Sequence, residues 1–561
     1  MDFIVSTLQR YPELALFLSL AIGYWIGVVK VGSFSLGTVT GTLLVAILIG
    51  QLGITISPHV KSVFFLLFLF AVGYGVGPQF VRGIASDGLP QAIFAVVISV
   101  LCLLAVYVAA KIADYDAGFA AGLLAGAQTI SASMGVAQDA INGLGLPPDQ
   151  AKTLADHMPV AYAITYIWGT IGTGVILSIL GPKLLRVDLA AACKRYEEKM
   201  SAGAPEGGMQ SAYRGRDVRA YRIGDRLPSG TTVAGAEAMH PESRLFIQRL
   251  RRDGKVFDFT PGTVLKQGDV VAVSGNTKTL VDVLGKYGTE VSDPELLDVP
   301  VEAVDVVLTN KAFNGKTLLE LAGTEFARGV YLNKITRGAT SVNIPILAQT
   351  KVYRGDILRL AGSTASVAAA VKNLGYADRP TNLTDMVFVG LGIFLGGLVG
   401  AVVVPVSGIP ITLSTSGGAL IAGIIIGWLR AVRPTFGRIP APALWFMNSV
   451  GLNVFIAIVG LTAGPTFVAG IKEAGFELFF WGLFATSVPM LLAPLIGKYI
   501  FKFDDAINLG CCGGARTSTA SVAMVADVAK SDVPMLGYTV PYAVSNTLLT
   551  LWGLVIVLML A

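Results

Sequence analysis

Long runs of apolar residues recur along the whole chain, and they constrain its fold more than any other feature. They include residues 14–31, 64–81, 92–110, 162–180, 386–404, 478–500 and 537–560. An apolar run of about 20 residues crosses the hydrocarbon core of a bilayer as a helix. Charged residues make up 14% of the chain, whereas about a quarter is usual in a soluble protein. We therefore predict a polytopic α-helical membrane protein, with the lipid bilayer and not nucleic acid as its partner.

The two apolar halves of the chain repeat each other. Residues 68–84, FLFAVGYGVGPQFVRGI, share nine of 17 positions with residues 455–471, FIAIVGLTAGPTFVAGI. Residues 127–141 share five of 15 positions with residues 515–529. We expect each half to hold about five spanning helices and one re-entrant hairpin, at 117–141 and 505–529. Since an odd number of spans reverses the second half, the halves are predicted to be inverted repeats, as in many secondary transporters.

A more polar insert separates the halves, because the composition changes near residues 183 and 380. We interpret 1–186 and 380–561 as the membrane repeats and 187–212 as a linker. Residues 262–288 and 349–376 repeat a Gly-Asp turn, an alternating strand and a helix. The insert is therefore predicted to contain two α/β domains, at 213–293 and 294–379. They resemble the TrkA-C ligand-sensing domain, which implies a regulatory ligand of the nucleotide type; a generic α/β insert without a ligand is the alternative.

The distribution of Lys and Arg near the span ends predicts the orientation, because cytoplasmic loops carry an excess of both. A cytoplasmic insert puts ten of these residues inside and five outside. Both termini then lie outside the cell. The two hairpins enter the bilayer from opposite sides and meet near its midplane.

The VGYG tetrapeptide at 72–75 is similar to most of the TVGYG filter of potassium channels. A filter needs a pore helix followed by an exposed loop, yet VGYG follows an uninterrupted apolar run, and the repeat places Leu461 and Thr462 opposite Tyr74 and Gly75. What the two halves share is a Gly-Pro pair, which favours a break in a membrane helix where it lines a cavity or is buried in protein. The four residues predicted to break the helices are Gly77, Pro78, Gly464 and Pro465.

The repeated GPxF motif, the AGAQTISAS and GGARTSTAS segments and the order of parts resemble the aspartate:alanine exchanger family of bacterial transporters. The resemblance covers essentially the whole chain. It implies a secondary antiporter in the bacterial inner membrane, exchanging small carboxylate-bearing substrates such as aspartate and alanine or dicarboxylates. Analogy with other hairpin-containing transporters adds a homodimer and an elevator-type movement. The alternatives are a ligand-gated potassium channel and a transporter-like membrane sensor.

Arg516 is the only charged residue between 509 and 525, and charged residues inside a membrane segment usually face the protein interior or water. We expect it to bind a substrate carboxylate through two parallel hydrogen bonds. Snorkelling to the surface or pairing with an acidic side chain is the alternative. Its repeat equivalent, Gln128, is also a candidate for substrate binding. The other candidate substrate-binding residues carry hydroxyl or amide groups, although hydroxyls also favour close helix packing: Thr129, Ser131, Ser133, Thr517, Thr519, Ser521 and Asn546.

Asp139 and Asp527 occupy equivalent positions in the two hairpins. Each is a candidate for holding a proton or a coupling ion, with an ordinary polar hairpin end as the alternative. The sequence contains no Ser-His-Asp arrangement, metal-ligand spacing or phosphate-binding loop. We therefore expect no enzymatic activity, no metal and no cofactor.

Overall fold

The computed structural model describes residues 2–31, 34–35, 37–85, 88–201, 216–239, 245–257, 259–276, 280–298, 301–338, 342–378, 383–406, 409–433 and 437–561. The chain divides into two compact units. The first, a helical unit, comprises Met1–Arg195, Arg337–Val342 and Thr381–Ala561, and the second comprises Tyr196–Thr336 and Asn343–Pro380.

The first half of the helical unit consists of helices joined by short turns. Its elements are α1 Asp2–Arg10, α2 Pro12–Val28, the paired strands β1 Lys30–Val31 and β2 Phe34–Ser35, α3 Thr38–Gly50, α4 Pro58–Ala85, α5 Leu89–Ile112, α6 Ala117–Ala127, α7 Ala132–Gly143, α8 Pro148–Val175 and α9 Gly181–Leu185. A π-helical turn, Ile176–Leu180, joins α8 to α9. A further helix, α10 Leu189–Ser201, occupies much of the stretch interpreted as a linker, and residues 202–215 of that stretch lie outside the described residues.

The second unit contains two five-stranded sheets with the same strand order. Its strands are β3 Arg216–Ile223, β4 Phe246–Arg252, β5 Lys255–Phe257, β6 Val270–Asn276, β7 Gly288–Val291, β8 Val301–Leu308, β9 Val330–Arg337, β10 Val342–Asn343, β11 Ile357–Ser363 and β12 Gly375–Ala377. The orders are β5-β4-β6-β3-β7 and β10-β9-β11-β8-β12. The α-helices between them are α11 Val233–Ala238, α12 Pro294–Leu297, α13 Leu318–Ala322 and α14 Thr364–Leu374. Because each strand has a counterpart five places further on, the two sheet domains repeat one topology.

The Gly-Asp turn in the sequence is built in the same way in both sheet domains. Gly268 and Gly355 have φ angles of 89° and 90°, a region that a residue with a side chain rarely adopts. The carboxylate of the following aspartate is buried and accepts a hydrogen bond from the backbone N–H three residues earlier, at 2.8 Å for both Asp269 and Asp356. Each turn therefore gives its buried carboxylate one local donor, and Asp269 also pairs with Arg252 of β4 at 2.7 Å.

The second half of the helical unit repeats the element order of the first. Its elements are α15 Met386–Gly400, the paired strands β13 Val403–Val406 and β14 Ile409–Thr412, α16 Ser414–Val432, α17 Ala441–Ala474, α18 Glu477–Leu495, α19 Asp505–Ala515, α20 Thr519–Ala529 and α21 Met535–Leu560. Helix packing between the halves follows the same repeat. Helix α4 packs on α16, and their equivalents α17 and α3 pack on each other. Likewise α5 packs on α21, and their equivalents α18 and α8 pack on each other.

Within the described chain, seven helices are long and apolar enough to cross a membrane, or eight if the bent pair Phe3–Arg10 and Pro12–Val28 forms one span. They are Pro58–Gly83, Leu89–Ile112, Pro148–Leu185, Ser414–Val432, Ala441–Glu473, Glu477–Ile500 and Met535–Leu560. The expectation of about five spans per half is met only if α2, α3 and α15 also cross. These have 17, 13 and 15 residues, fewer than the ~20 that a span perpendicular to the bilayer needs.

The predicted helix breaks at the Gly-Pro pairs are wrong. Helix α4 continues through Gly77 and Pro78, and α17 continues through Gly464 and Pro465. A proline inside a helix removes the hydrogen bond to the carbonyl four residues earlier, which here belongs to Tyr74 and to its repeat equivalent Leu461.

Close helix packing covers both carbonyl groups. A Cβ atom at Gly427 of α16 would lie 2.0 Å from the Tyr74 carbonyl oxygen, and one at Gly50 of α3 would lie 2.4 Å from the Leu461 carbonyl oxygen. The backbones therefore meet at glycines, as small residues allow in membrane helix pairs. Each freed carbonyl thus lies against a glycine of a neighbouring helix, and the helix continues past the proline.

Candidate functional site

Each half of the helical unit contains a helical hairpin that begins at an aspartate. Hairpin 1 is α6 with α7, and hairpin 2 is α19 with α20. The Asp116 carboxylate accepts a hydrogen bond from the Phe119 N–H at 2.8 Å, and the Asp504 carboxylate accepts one from the Ala506 N–H at 3.0 Å. An aspartate in this position satisfies a backbone donor that the first helical turn leaves free. The two hairpins therefore start with the same local interaction.

A threonine in the left-handed region forms the tip of each hairpin. Thr129 has φ 54° and Thr517 has φ 56°, and the two residues are repeat equivalents. A β-branched residue with positive φ is a genuine outlier, and such strain, of order 1–3 kcal/mol, persists only where the surrounding structure holds it. Strained backbone of this kind clusters at functional sites.

The two tips meet through Arg516, which ends α19 and is fully buried. Its Nη1 donates a hydrogen bond to Oε1 of Gln128, and its Nη2 donates one to the carbonyl oxygen of Ala127. We call these two hydrogen bonds the tip contact. The repeat equivalents Gln128 and Arg516 therefore touch each other.

The rest of the Arg516 environment in the described chain leaves its charge uncompensated. No described carboxylate forms a salt bridge with its guanidinium, and Nε has no hydrogen-bond partner among the described residues. The hydroxyl of the neighbouring Thr517 is also buried without a described partner. Arg516 thus neither snorkels to the surface nor pairs with a described acid, which were the alternatives to a binding role.

Helix α18 holds hairpin 1 from a second direction. The Gln128 Nε2 donates to the Ala485 carbonyl at 3.0 Å, and the Thr486 hydroxyl donates to the Ala127 carbonyl at 3.1 Å. The Gln128 amide therefore has a partner at each end. Its oxygen faces Arg516, and this orientation is maintained by the bond that its nitrogen makes to α18.

A tyrosine hydroxyl meets the second leg of each hairpin near its tip. Ser131 and Tyr162 of α8 share a hydrogen bond of 2.6 Å, and Thr519 and Tyr538 of α21 share one of 2.8 Å. Ser131 and Thr519 are repeat equivalents, whereas neither tyrosine was a sequence candidate. The available signal was the proline in the closing helix of each half, Pro159 and Pro541, because Tyr162 and Tyr538 each lie three residues from one of them.

The remaining polar candidates have different settings. The Ser133 hydroxyl donates to the Ile130 carbonyl at 2.8 Å, and Ser521 hydrogen-bonds at 2.7 Å to Ser518, which caps α20. The Ser133 and Ser521 hydroxyls therefore form local hydrogen bonds at the starts of α7 and α20. Asn546 is buried on α21, and its Nδ2 has no partner among the described residues.

Asp139 and Asp527 are equivalent in the repeat but have different surroundings. One Asp139 carboxylate oxygen is buried without a hydrogen-bond partner in the described chain. The carboxylate interacts with Lys61 at the start of α4 and with Ser414 and Ser416 at the start of α16. Asp527 is exposed. The structure therefore distinguishes the two ion-coupling candidates and leaves Asp139 as the partly enclosed one.

His157 lies at the base of hairpin 1 and contacts two acidic side chains and an aromatic ring. The His157 Nδ1 lies 2.6 Å from Oδ2 of Asp116, and its Nε2 lies 3.5 Å from Oε2 of Glu473 at the end of α17. The His157 ring stacks on Phe119 with 4.0 Å between ring centroids. These contacts join the start of α6 to α8 and α17.

The first sheet domain contains a small cavity of about 70 Å³ that is partly open to solvent. Its lining is mostly apolar and includes Tyr221, Ile247, Val273 and Leu284. Glu237 also lines it, and its carboxylate pairs with Arg328 of the second sheet domain. No described group of three or more His, Cys, Asp or Glu side chains could hold a metal ion.

The long apolar helices define a multi-pass helical membrane protein, and its buried interior carries a charge at the point where two hairpins meet. The family described as "predicted permease membrane region" matches residues 15–182 and 388–558. The chain belongs to this permease family. The matched residues cover both membrane halves and leave out the insert.

Several curated relatives are similar to the whole chain. An uncharacterized transporter of Shewanella oneidensis is 52% identical over 100% of both chains. An uncharacterized transporter of Bradyrhizobium diazoefficiens is 42% identical over 91% of this chain and 98% of its own, and one of Bordetella parapertussis is 37% identical over 99% and 98%. No solved structure matches the chain significantly. The protein is a membrane transporter.

Proposed function

We propose that the protein is a secondary antiporter that exchanges small carboxylate-bearing substrates and binds the carboxylate at Arg516. One observation carries the proposal: a fully buried guanidinium has only neutral acceptors among the described residues. A buried charge without a charged partner destabilises a protein strongly. An anionic substrate would compensate this charge, and a guanidinium fits a carboxylate through two parallel hydrogen bonds.

The neighbouring groups suit such a substrate. The Nε of Arg516 and the hydroxyl of Thr517, which have no hydrogen-bond partner among the described residues, can both donate to a carboxylate oxygen. Ser131 and Thr519 add hydroxyls on the second legs of the hairpins. Asn546 is a further candidate on α21, and Asp139 is the candidate for a coupled proton or ion.

We further propose that the two halves are inverted repeats that enclose this site. The matching element order and the exchanged packing pairs, α4 on α16 and α17 on α3, support a twofold relation between the halves. Inverted repeats place a substrate site at their interface near the bilayer midplane. The contact between the equivalent residues Gln128 and Arg516 favours the same place.

Counterflow in proteoliposomes tests the exchange activity. Purified protein should take up labelled aspartate, alanine or a dicarboxylate only when unlabelled substrate is present on the opposite face, and uptake should saturate. A panel of amino acids and dicarboxylates identifies the pair. Equal uptake with and without substrate on the opposite face would contradict an antiporter.

A potassium channel is the alternative that the VGYG segment suggests. Tyr74 lies inside the continuous helix α4, and its hydroxyl donates to the Gly437 carbonyl at 2.9 Å. Tyr74→Phe would remove this hydrogen bond, which contributes about 0.5–1.5 kcal/mol, and should leave exchange intact. Unitary potassium currents from the purified protein, lost in Tyr74→Phe, would favour the channel.

Cysteine labelling tests the proposed orientation in the bacterial inner membrane, with the insert in the cytoplasm and both termini outside. The native cysteines are all buried, so a new exposed cysteine should dominate the signal. Lys255→Cys in the insert should react only with reagents that reach the cytoplasm, and Gly143→Cys at the end of hairpin 1 only with external reagents. Both variants reacting from one side would exclude the inverted arrangement.

We also propose that the insert is a pair of TrkA-C-like regulatory domains and that the protein is a homodimer with elevator-type movement. The repeated sheet topology supports the paired domains. A nucleotide-type ligand should change the exchange rate of the full-length protein when it is added on the insert side. The apolar cavity beside Glu237 is a candidate site for the uncharged part of such a ligand.

A further inference from the structure

The tip contact gives hairpin 1 a role that binding alone does not require. Arg516 uses Nη1 and Nη2 for the Gln128 oxygen and the Ala127 carbonyl. Both acceptors are neutral, and both belong to hairpin 1. In the described chain, the buried charge of hairpin 2 is therefore stabilised by the tip of hairpin 1.

If the exposed face changes by separation of the two tips, the empty protein loses both acceptors of a fully buried guanidinium in that step. An uncompensated buried charge is strongly destabilising, so this separation meets a high barrier. A bound carboxylate changes the situation, because charge-assisted hydrogen bonds are roughly twice as strong as those between neutral groups. The substrate can then replace Gln128 and stay with Arg516 while the tips separate.

We propose that Gln128 makes exchange obligatory, because it holds Arg516 when the site is empty and so prevents the empty protein from changing its exposed face. This inference rests on the proposed exchange function. Gln128 acts here as a positioning residue that determines coupling. Its Nε2 bond to the Ala485 carbonyl, at 3.0 Å, keeps the amide oxygen directed at Arg516.

Net efflux from loaded proteoliposomes tests the role of Gln128. Gln128→Leu removes the side-chain acceptor and keeps a similar volume. Substrate efflux into substrate-free buffer should rise by about 10- to 150-fold relative to the wild type, which is the loss of one hydrogen bond to a charged group expressed as a rate. Exchange should persist, because Arg516 remains available to the substrate.

Two further variants keep this test decisive if Gln128→Leu folds poorly. Thr486→Val removes a neighbouring hydrogen bond to the Ala127 carbonyl, at 3.1 Å, but no acceptor of Arg516, and it should keep net efflux at the wild-type level. Gln128→Glu supplies a charged partner for Arg516 and should lower both substrate affinity and exchange rate.

The outcomes separate this inference from the proposed function. Wild-type protein without exchange would refute the proposed function itself. Wild-type exchange together with a Gln128→Leu variant that still needs substrate on the opposite face would refute only the role of Gln128. Weaker substrate binding in Gln128→Leu without net efflux would make Gln128 a substrate ligand instead, and it too would overturn the inference.

Discussion

Arg516→Gln is expected to lower substrate affinity by about 10- to 150-fold, because a hydrogen-bonded contact to a charged group contributes roughly 1.5–3 kcal/mol. Arg516→Lys should weaken binding less, since an ammonium keeps the charge but loses the planar fork that matches a carboxylate. Binding of labelled substrate to purified protein measures both effects. A glutamine at this position can still hydrogen-bond to the Gln128 amide, so the tips need not lose their contact.

Thermal stability measured on the same samples separates binding from folding. If Arg516 binds substrate, affinity falls while the apparent melting temperature of the empty protein stays the same or rises, because removing a buried charge relieves desolvation. A purely structural arginine would behave in the opposite way. A stable Arg516→Gln variant with wild-type affinity would remove Arg516 from the site.

Gly510→Ala should destabilise the helical unit, because α19 packs on α21 with its backbone. A Cβ atom at Gly510 would lie 1.8 Å from the Pro534 carbonyl oxygen, and one at the repeat equivalent Gly122 would lie 2.2 Å from the Met158 carbonyl oxygen. Since a backbone carbonyl cannot rotate away as a side chain can, the helices must move apart. Such overpacking costs about 1–3 kcal/mol. Gly510→Ala and Gly122→Ala should therefore each show a lower apparent melting temperature and a lower yield of folded protein.

Gly143→Ala is the matched control for these substitutions. It adds the same methyl group at the end of hairpin 1, where no atom would lie within 4 Å of the new Cβ. Its melting temperature should stay close to the wild-type value. If Gly510→Ala and Gly143→Ala are equally stable, α19 and α21 do not pack as closely as described.

The hairpins and their meeting point follow from the sequence to a large extent. The repeat of 127–141 in 515–529 pairs Gln128 with Arg516, and the inverted arrangement that we propose would bring equivalent tips together. The pattern does not show that these two residues bind each other. That contact depends on the side-chain directions at two turns, which Thr129 and Thr517 set through an uncommon backbone conformation.

Tertiary contacts decide the features that local sequence could not predict. The Gly-Pro pairs favour a helix break, but Gly427 and Gly50 on neighbouring helices cover the freed carbonyls and the helices continue. Asp139 and Asp527 look equivalent, yet in the described chain Asp139 interacts with a lysine and two serines of other helices, while Asp527 is exposed. The hydroxyl contacts of Tyr162 and Tyr538 likewise depend on how α8 and α21 pack against the hairpins.

The buried charge of Arg516 would make one step of the proposed transport cycle sensitive to voltage if the hairpin tips move through the membrane field. A unit charge that crosses the whole potential of an energised membrane changes its energy by about 2.3 kcal/mol per 100 mV. If the hairpin tips carry Arg516 through part of this field, the empty site moves a positive charge, while a site loaded with a monoanion moves none. Exchange of one monoanion for another would then be insensitive to the membrane potential, which would act only on the movement of the empty site that the Gln128 contact opposes.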